Sequence, residues 1–314
     1  MPPLDKLWRQ RLLGKVICLL YHRVDEPGRA PFLERFGTPP IPPDQLHDEL
    51  QFLKSRGARF MTFSDLRQNR FPQADQFGVI VSFDDGLRDN YTNGFPVLDA
   101  LGIKGVLFQA TALVGASSLI WEHALYWYWQ DEALPRQLTA IAHRAQPHLQ
   151  AFADRQLLVS LRETCTATAV EAMLGEMAAL DGCAGALREA ARRFYPAATD
   201  VLAAHASGHE LGSHGHRHYP RKNIDGALFV QELETSIRVL QQITGERPAA
   251  FSYPFNSHLP GDAELASPLF EQLVTVDGGL IERSTSQRRL PRYTWPGPHR
   301  SALRRRRWLW TGGA

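Results

Sequence analysis

Short apolar strands alternate with helical patterns along most of this 314-residue chain, and the alternation limits its fold more than any other feature. The stretch FGVIVSF (77–83) is apolar almost throughout, which is typical of a strand buried on both faces. KVICLLYHRV (15–24) and KGVLFQA (104–110) follow the same pattern, and a helix with leucines spaced by four and three is predicted over 43–56. Since parallel strands need helical crossovers, the sequence predicts an α/β fold with a parallel sheet or barrel.

The remaining elements continue this alternation after a break. From about 117 to 200, Ala, Leu, Arg and Glu dominate with helical periodicity, and apolar strand-like runs disappear. We therefore expect one domain over 1–314 that carries a helical insertion at about 117–200. Further strands are predicted at 60–63, 209–213, 249–254 and 273–277, and further helices at 91–101, 225–244 and 262–272.

An aromatic stripe opens the insertion. In WEHALYWYWQ (121–130), Trp121, Leu125 and either Tyr128 or Trp129 share one helix face. Such a stripe is typical of ordinary core packing. The alternative is that Trp121 forms a wall of a substrate site.

Charge and cysteine usage exclude some classes of protein. The net charge of +2 and the pI near 8.5 are too mild to indicate a nucleic-acid partner. Three widely spaced cysteines without a CxxC pair indicate neither a disulfide framework nor a thiolate zinc site. No signal peptide or transmembrane run is recognised, so a cytoplasmic protein is predicted. The basic tail at about 300–314, which contains RRRRWLW, could contact the inner membrane peripherally.

Two adjacent carboxylates follow the strand 77–83. In SFDDG (82–86) they lie at the carboxyl end of a strand, where α/β folds collect their chemistry. Gly86 permits the chain to turn, so one carboxylate can bind a metal while its neighbour faces a substrate. The alternative is an Asp-rich turn that caps the next helix.

Three histidines stand close together in GSHGHRH (212–218). His214 and His218 are four residues apart, which lets both rings face one point, while His216 points elsewhere. With one Asp they make a three-ligand set with open positions, the arrangement that catalytic zinc uses to activate water. A polar surface loop is the alternative.

Two further segments are candidates for the same site. FSYPFN (251–256) could form a groove wall or offer a backbone N–H to an oxyanion, and ordinary core packing explains it equally well. In LPR (290–292), Arg292 could orient a catalytic carboxylate or lie on the surface.

Read in order, SFDDG, GHELGSHGHRH, FSYPFN and LPR resemble the polysaccharide deacetylases of the NodB homology type, carbohydrate esterase family 4. LLYHRV resembles the opening strand of a subgroup that begins with Tyr-His. The resemblance covers about 15–112 and 199–295. It implies a distorted, TIM-like (β/α)7 barrel.

The resemblance also implies roles for individual residues. Asp84 would be the catalytic base, and Asp85, His214 and His218 would bind a divalent metal, commonly Zn²⁺. The Phe255 backbone N–H would bind the oxyanion and Arg292 would orient the base. Tyr253 and Pro254 would contact substrate.

The sequence departs from the family pattern at three places. Gly215 stands where the family usually has Ser or Thr, and Asn256 replaces a usual Gly, whose left-handed backbone Asn tolerates. No counterpart of the late Leu-x-His segment, which carries the general acid, is found. His22 is our first candidate for the acid, followed by His299 and His258.

The function expected from the resemblance is hydrolysis of an N-acetyl group on an amino sugar, with release of acetate. The insertion would narrow an open groove into a pocket, which favours a small or lipid-linked sugar over a long polymer. The alternatives are a deformylase or another C–N hydrolase on the same fold, or a catalytically silent glycan-binding protein. A purely structural metal site would need four protein ligands.

Overall fold

The structure, a computed structural model, describes residues 10–35 and 39–295. The basic tail at 300–314 and the acid candidate His299 lie outside these residues, so the predicted membrane contact remains a prediction. Among the described residues, no helix combines the length and apolar character needed to cross a membrane.

Parallel strands form one sheet that curls into a barrel. Its neighbour order is β8-β7-β6-β5-β4-β3-β1-β9, and β2 pairs with the beginning of β3. The strands are β1 (Val16–Tyr21), β2 (Ala58–Met61), β3 (Phe77–Phe83), β4 (Val106–Gln109), β5 (Glu210–Ser213), β6 (Ala250–Ser252), β7 (Gln272–Thr275), β8 (Leu290–Pro291) and β9 (Tyr293–Thr294).

One interrupted segment closes the ring. β8 pairs with β7, while β9, one residue further along the chain, pairs with β1 at the opposite end of the sheet. Only Arg292 separates the two short strands. Counted as one interrupted strand, they complete a ring of seven with β1, β3, β4, β5, β6 and β7. The ring is distorted, since a single residue pair, Ser213 with Phe251, joins β5 to β6. The predicted α/β barrel of the TIM-like type is confirmed.

The barrel places the predicted motifs at one end. All seven residues of β3 are buried, as its apolar run predicts, and its last residue, Phe83, pairs with Tyr21 of β1 and Leu107 of β4. The two adjacent Asp residues follow β3, and the histidine segment follows β5. Because all these strands are parallel, their carboxyl ends share one face of the barrel.

Helices cover the outside of the barrel and form the insertion. The helices predicted at 43–56 and 225–244 are observed with nearly the same bounds, whereas the helix predicted at 262–272 ends at residue 266. The α-helices are α1 (Pro31–Glu34), α2 (Pro43–Ser55), α3 (Phe63–Arg67), α4 (Phe95–Ala100), α5 (Trp121–Tyr128), α6 (Arg136–Ala145), α7 (Asp154–Thr164), α8 (Ala167–Asp181), α9 (Ala184–Phe194), α10 (Ala198–Ala206), α11 (Gly226–Thr244) and α12 (Asp262–Ala266).

Two local differences from the predicted elements have physical reasons. The strand predicted at 60–63 ends at Met61, because Thr62 and Asp65 form a capping box that starts α3. The helix predicted at 91–101 begins with a π-helical turn, Asn90–Gly94, before α4. Pro96 lacks an N–H, so it cannot continue the regular i to i−4 ladder there.

The segment between β4 and β5 is helical and extends to the end of α10 at residue 206, whereas the insertion was predicted to end at about 200. Its apolar side chains share one core with the barrel. Members of this core include Leu125 and Leu138 from the insertion, and Phe251 and Leu273 from strands β6 and β7. The insertion therefore packs on the barrel as part of one hydrophobic core.

Candidate metal centre and active site

A tight turn sends the carboxylates of Asp84 and Asp85 in different directions. The Asp84 N–H still donates to the carbonyl of Tyr21, at 3.1 Å, as a continuation of β3. Asp85 then adopts a φ of +71°, and the Gly86 N–H donates back to the Asp84 carbonyl at 2.9 Å. Gly86 itself has a φ of +79°, and a Cβ there would lie 2.1 Å from the Gln109 Oε1. Only glycine fits this turn.

Asp84 is held by Arg292 inside the barrel. The guanidinium donates two hydrogen bonds to the Asp84 carboxylate, both at 2.7 Å, and Arg292 is completely buried. The Ser252 hydroxyl accepts from Arg292 at 2.6 Å and donates to Asp84 at 3.2 Å. Burial alone would raise the pKa of Asp84, but the charge of Arg292 outweighs it and holds that pKa well below its usual range.

The two histidines of the predicted site each have a partner at Nδ1. His214 Nδ1 donates to the carbonyl of Ser252 at 2.8 Å, since a carbonyl can only accept. His218 Nδ1 lies 2.5 Å from a carboxylate oxygen of Glu122. Both Nε2 atoms are thereby left to face Asp85, whose Oδ1 lies 3.7 Å from His214 Nε2 and 3.3 Å from His218 Nε2.

These three side chains fit a metal. Their donor atoms lie within 4.8 Å of one another. Tetrahedral zinc with bonds near 2.0–2.1 Å separates its ligand atoms by about 3.3 Å, close to the observed spacings. His218 Nε2 is buried and has no hydrogen-bond partner among the described residues. A buried lone pair that faces a carboxylate and a second imidazole is what a metal ligand requires.

The ionisation of the donors follows from their surroundings. Burial lowers the pKa of His214 to about 4, so its ring is neutral and able to coordinate. For His218 burial also favours the neutral form, but the carboxylates of Glu122 and Asp85 outweigh it and raise the pKa to about 9. The cluster of carboxylates therefore favours a cation at this point, either a proton or a metal.

A pocket of about 310 Å³ opens over the candidate metal ligands. His22, directly after β1, is one of its lining residues. The pocket is lined by Leu20, His22, Asp84, Asp85, Glu122, His123, Tyr126, Arg162, His214, His218, Tyr253, Phe255, Asn256, Val276 and Thr294.

Some predicted residues lie beside the pocket rather than on its surface. Trp121 is buried behind the wall, donates from Nε1 to the Arg217 carbonyl at 3.1 Å, and packs near Phe255. Core packing, the first of the two readings of the aromatic stripe, describes it. Pro254 is buried and faces Gly215. His258 is exposed and does not line the pocket.

The insertion supplies pocket residues that the sequence analysis missed. Glu122, His123, Tyr126 and Arg162 all line the pocket. Helical spacing indicated a buried stripe through Trp121, and the polar residues next to it carried no signal because their partners lie far away in the sequence. Ser252, on β6, was missed for the same reason.

Backbone strain is concentrated at the pocket. Of the seven non-glycine residues with positive φ in the described part of the chain, four line it: Asp85, His218, Phe255 and Asn256. Asn256 has a φ of +51°, so it does adopt the left-handed backbone expected of a glycine substitute. Left-handed non-glycine residues are costly, and they cluster where function requires them.

The third histidine of the segment, His216, is held apart from the candidate metal ligands. Its side chain points away from them, with Nδ1 2.9 Å from the Thr111 hydroxyl. Gly215 has a φ of +74°, and its N–H donates to the Ser213 hydroxyl at 3.1 Å. Gly215, which stands where the family usually has Ser or Thr, therefore has a left-handed backbone that favours glycine.

Comparison with known proteins was made by sequence family and by structure. The family model described as polysaccharide deacetylase matches residues 169–266, which contain His214 and His218. No curated protein matches the sequence significantly.

Solved deacetylase structures superpose on nearly the whole chain. A polysaccharide deacetylase from Bacillus cereus has a TM-score of 0.58 at 15% identity and covers 95% of this chain and 69% of its own. IcaB from Ammonifex degensii has a TM-score of 0.58 at 16% identity, covering 96% and 98%. Streptococcus pyogenes deacetylase PplD, in complex with acetate, has a TM-score of 0.60 at 15% identity, covering 96% and 99%. The family match over 169–266 and the fold shared with these structures make the chain similar to the polysaccharide deacetylases.

Proposed function

We propose that the protein is a metal-dependent hydrolase that removes an N-acetyl group from an amino sugar. One observation carries this proposal. The carboxylate of Asp84, held by Arg292, shares a pocket with the donor set of Asp85, His214 and His218. The likeness to deacetylases supports it, among them one in complex with acetate and a de-N-acetylase from Aggregatibacter actinomycetemcomitans.

A bound divalent metal, Zn²⁺ in our proposal, would supply Lewis acidity and lower the pKa of water at Asp85, His214 and His218. Asp84 lies beside this donor set and, kept ionised by Arg292, accepts the proton of the attacking water. The backbone N–H of Phe255 stabilises the developing oxyanion. His22 donates a proton to the departing amine, so that acetate and the free amino sugar leave.

The pocket favours a compact substrate. Glu122 and Tyr126 of the insertion line it together with Tyr253 and Phe255 of the barrel. We infer that the substrate is a small or lipid-linked N-acetylated sugar. Equal rates on long chitin-like polymers and on short glycans would contradict this inference.

The deciding experiment measures bound metal and acetate release. The purified protein is assayed on a panel of N-acetylated glycans, and Asp84→Asn is expected to abolish release while metal remains bound. Asp48→Asn, the same change at a highly exposed position on α2, is the matched control and should keep full activity.

Two alternatives have distinct outcomes in the same assay. Formate release from N-formyl sugars, with no acetate from N-acetyl sugars, would indicate a deformylase. Glycan binding without any acyl release, equal in wild type and Asp84→Asn, would indicate a glycan-binding protein.

Three further proposals concern the whole chain. We propose that it forms a single domain over 1–314 and that it belongs to the subgroup with a Tyr-His strand. We also propose a cytoplasmic location with membrane contact through the basic tail. Removing 303–314 and measuring partitioning into vesicles tests the last.

A further inference from the structure

Glu122 connects the insertion to the metal site. It lies in the first turn of α5, 96 residues before His218, and its carboxylate oxygen is 2.5 Å from His218 Nδ1. Glu122 is buried, with 3% of its surface exposed. A carboxylate so deeply buried needs a compensating partner, and His218 provides it.

This contact determines which nitrogen of His218 is free. A carboxylate accepts a hydrogen bond, so Nδ1 carries a proton. In the neutral ring, the form that can bind a metal, the lone pair therefore lies on Nε2, which faces Asp85. The buried Nε2 has no hydrogen-bond partner among the described residues. Glu122 therefore sets both the tautomer and the ring orientation that coordination through Nε2 requires.

The other histidine is oriented by a different part of the chain. His214 Nδ1 donates to the Ser252 carbonyl on β6, within the barrel itself. The barrel thus orients one histidine with a neutral acceptor, whereas the insertion orients the other with a charged acceptor. A charged acceptor makes the stronger hydrogen bond.

Contacts on both sides of Glu122 hold α5 in this position. The Trp121 Nε1 donates to the carbonyl of Arg217, next to His218, at 3.1 Å. His123 Nδ1 lies 2.7 Å from the Tyr195 hydroxyl, which also accepts from the Ile120 N–H at 3.0 Å. The first turn of α5 is therefore fixed to the histidine loop and to the far end of the insertion.

We propose that Glu122 is a positioning residue for His218 and that the helical insertion is thereby a structural part of the metal centre. The proposal rests on the proposed function only in that a metal is bound at Asp85, His214 and His218. Its consequence is reciprocal: metal binding stabilises the first turn of α5, and loss of Glu122 weakens metal binding.

The test measures Zn²⁺ affinity by competition with a chromophoric chelator. Glu122→Ala is expected to weaken affinity by about 10–100-fold, the usual cost of losing the carboxylate partner of a ligating histidine. Glu122→Gln, which still accepts from Nδ1 but has no charge, should lie between wild type and alanine. Glu171→Gln is the matched control, since Glu171 is a half-exposed carboxylate 3.6 Å from Arg217.

A second measurement distinguishes positioning from a general loss of stability. Zn²⁺ should slow amide hydrogen exchange over Trp121–Tyr128 in wild type and in Glu171→Gln, and should do so much less in the Glu122 variants. If Glu122→Ala does not fold, Glu122→Gln carries both measurements. Variants that bind Zn²⁺ within about twofold of wild type overturn the proposal. If wild type itself binds no metal, the proposed function fails instead.

Discussion

Arg292 contributes both to closure of the barrel and to the candidate active site. It interrupts the segment that closes the barrel, and its guanidinium binds the carboxylate of Asp84 and the hydroxyl of Ser252. The guanidinium also lies over the ring of Phe108, 5.0 Å from its centroid. Because the pair is wholly buried, removal of either charge leaves the other without compensation.

Replacement of Arg292 should therefore destabilise the protein strongly. Arg292→Met leaves the Asp84 carboxylate buried and unpaired, and we expect the free energy of unfolding to fall by about 3–5 kcal/mol. Urea denaturation of the metal-free protein measures it. The double variant Asp84→Asn/Arg292→Met should recover part of the loss, because it removes the unpaired charge. Equal stability of Arg292→Met and wild type would contradict the buried pair.

The general acid can be assigned by a second substitution. His22→Gln should lower kcat for acetate release by about 10²–10⁴-fold, the usual contribution of a general acid, while Zn²⁺ affinity is retained. His47→Gln is the control, since His47 is a half-exposed side chain on α2. If His123→Gln produces this loss and His22→Gln does not, the acid belongs to the insertion.

At the scale of elements, a buried ionic cluster joins the end of β1 to its neighbours. The Arg23 guanidinium contacts the carboxylates of Asp89, Asp25 and Glu34, at 3.0, 3.4 and 3.8 Å. Burial raises the pKa of Asp89 to about 6, although the charge of Arg23 opposes the shift and Asp25 adds to it. Three carboxylates around one guanidinium cannot all ionise without cost.

Stability should consequently depend on pH through Asp89. The folded-state pKa lies above the unfolded value near 3.8, so the folded state binds the proton more tightly. This contribution is fully present below about pH 4 and is lost as the pH rises through 6, by about 1–3 kcal/mol. Relative to wild type, Asp89→Asn should gain stability across this window in urea titrations. A stability difference that stays constant from pH 4 to 6 would refute the assignment.

The elements that depend on local sequence were predictable. The apolar run at 77–83 and the leucine spacing at 43–56 gave strands and helices with bounds within one residue, because their own side chains determine burial. β8 and β9 were not predicted as strands. Each has two residues and exists through pairing with strands distant in the sequence, so no local periodicity reports it.

In the candidate site, too, local sequence predicted some residues, while others depend on contacts with distant segments. Three of the four motifs supplied pocket residues of the barrel, since strand ends meet on one face, and the fourth supplied Arg292, which holds Asp84. Glu122 and its helix could not be placed by such a rule, because the contact with His218 spans 96 residues and joins an insertion to a barrel loop. Spacing within a segment predicts what shares a face, but not which distant segment covers that face.

At the scale of the whole molecule, one apolar core joins insertion and barrel. It contains residues of α5 to α9 together with residues of β6, β7 and α11. Domains that share a core of this kind unfold together. The insertion is thus expected to have no stability of its own.

The described chain should therefore unfold in one transition. Tryptophan fluorescence, to which Trp121, Trp127 and Trp129 of the insertion contribute, should have the same urea midpoint as far-UV circular dichroism. Amide exchange in β3 and α8 should respond to urea in parallel. Two separated midpoints would indicate an independently folded insertion.

The position of Arg292 in the chain has a consequence for biosynthesis. It follows Asp84 by 208 residues, and translation at about 5–20 residues per second adds them over roughly 10–40 s. During that interval the nascent chain holds a carboxylate without its guanidinium and a barrel without its closing segment. An interrupted translation product that ends before residue 292 should thus be hydrolytically inert, so that activity begins only once the ring can close.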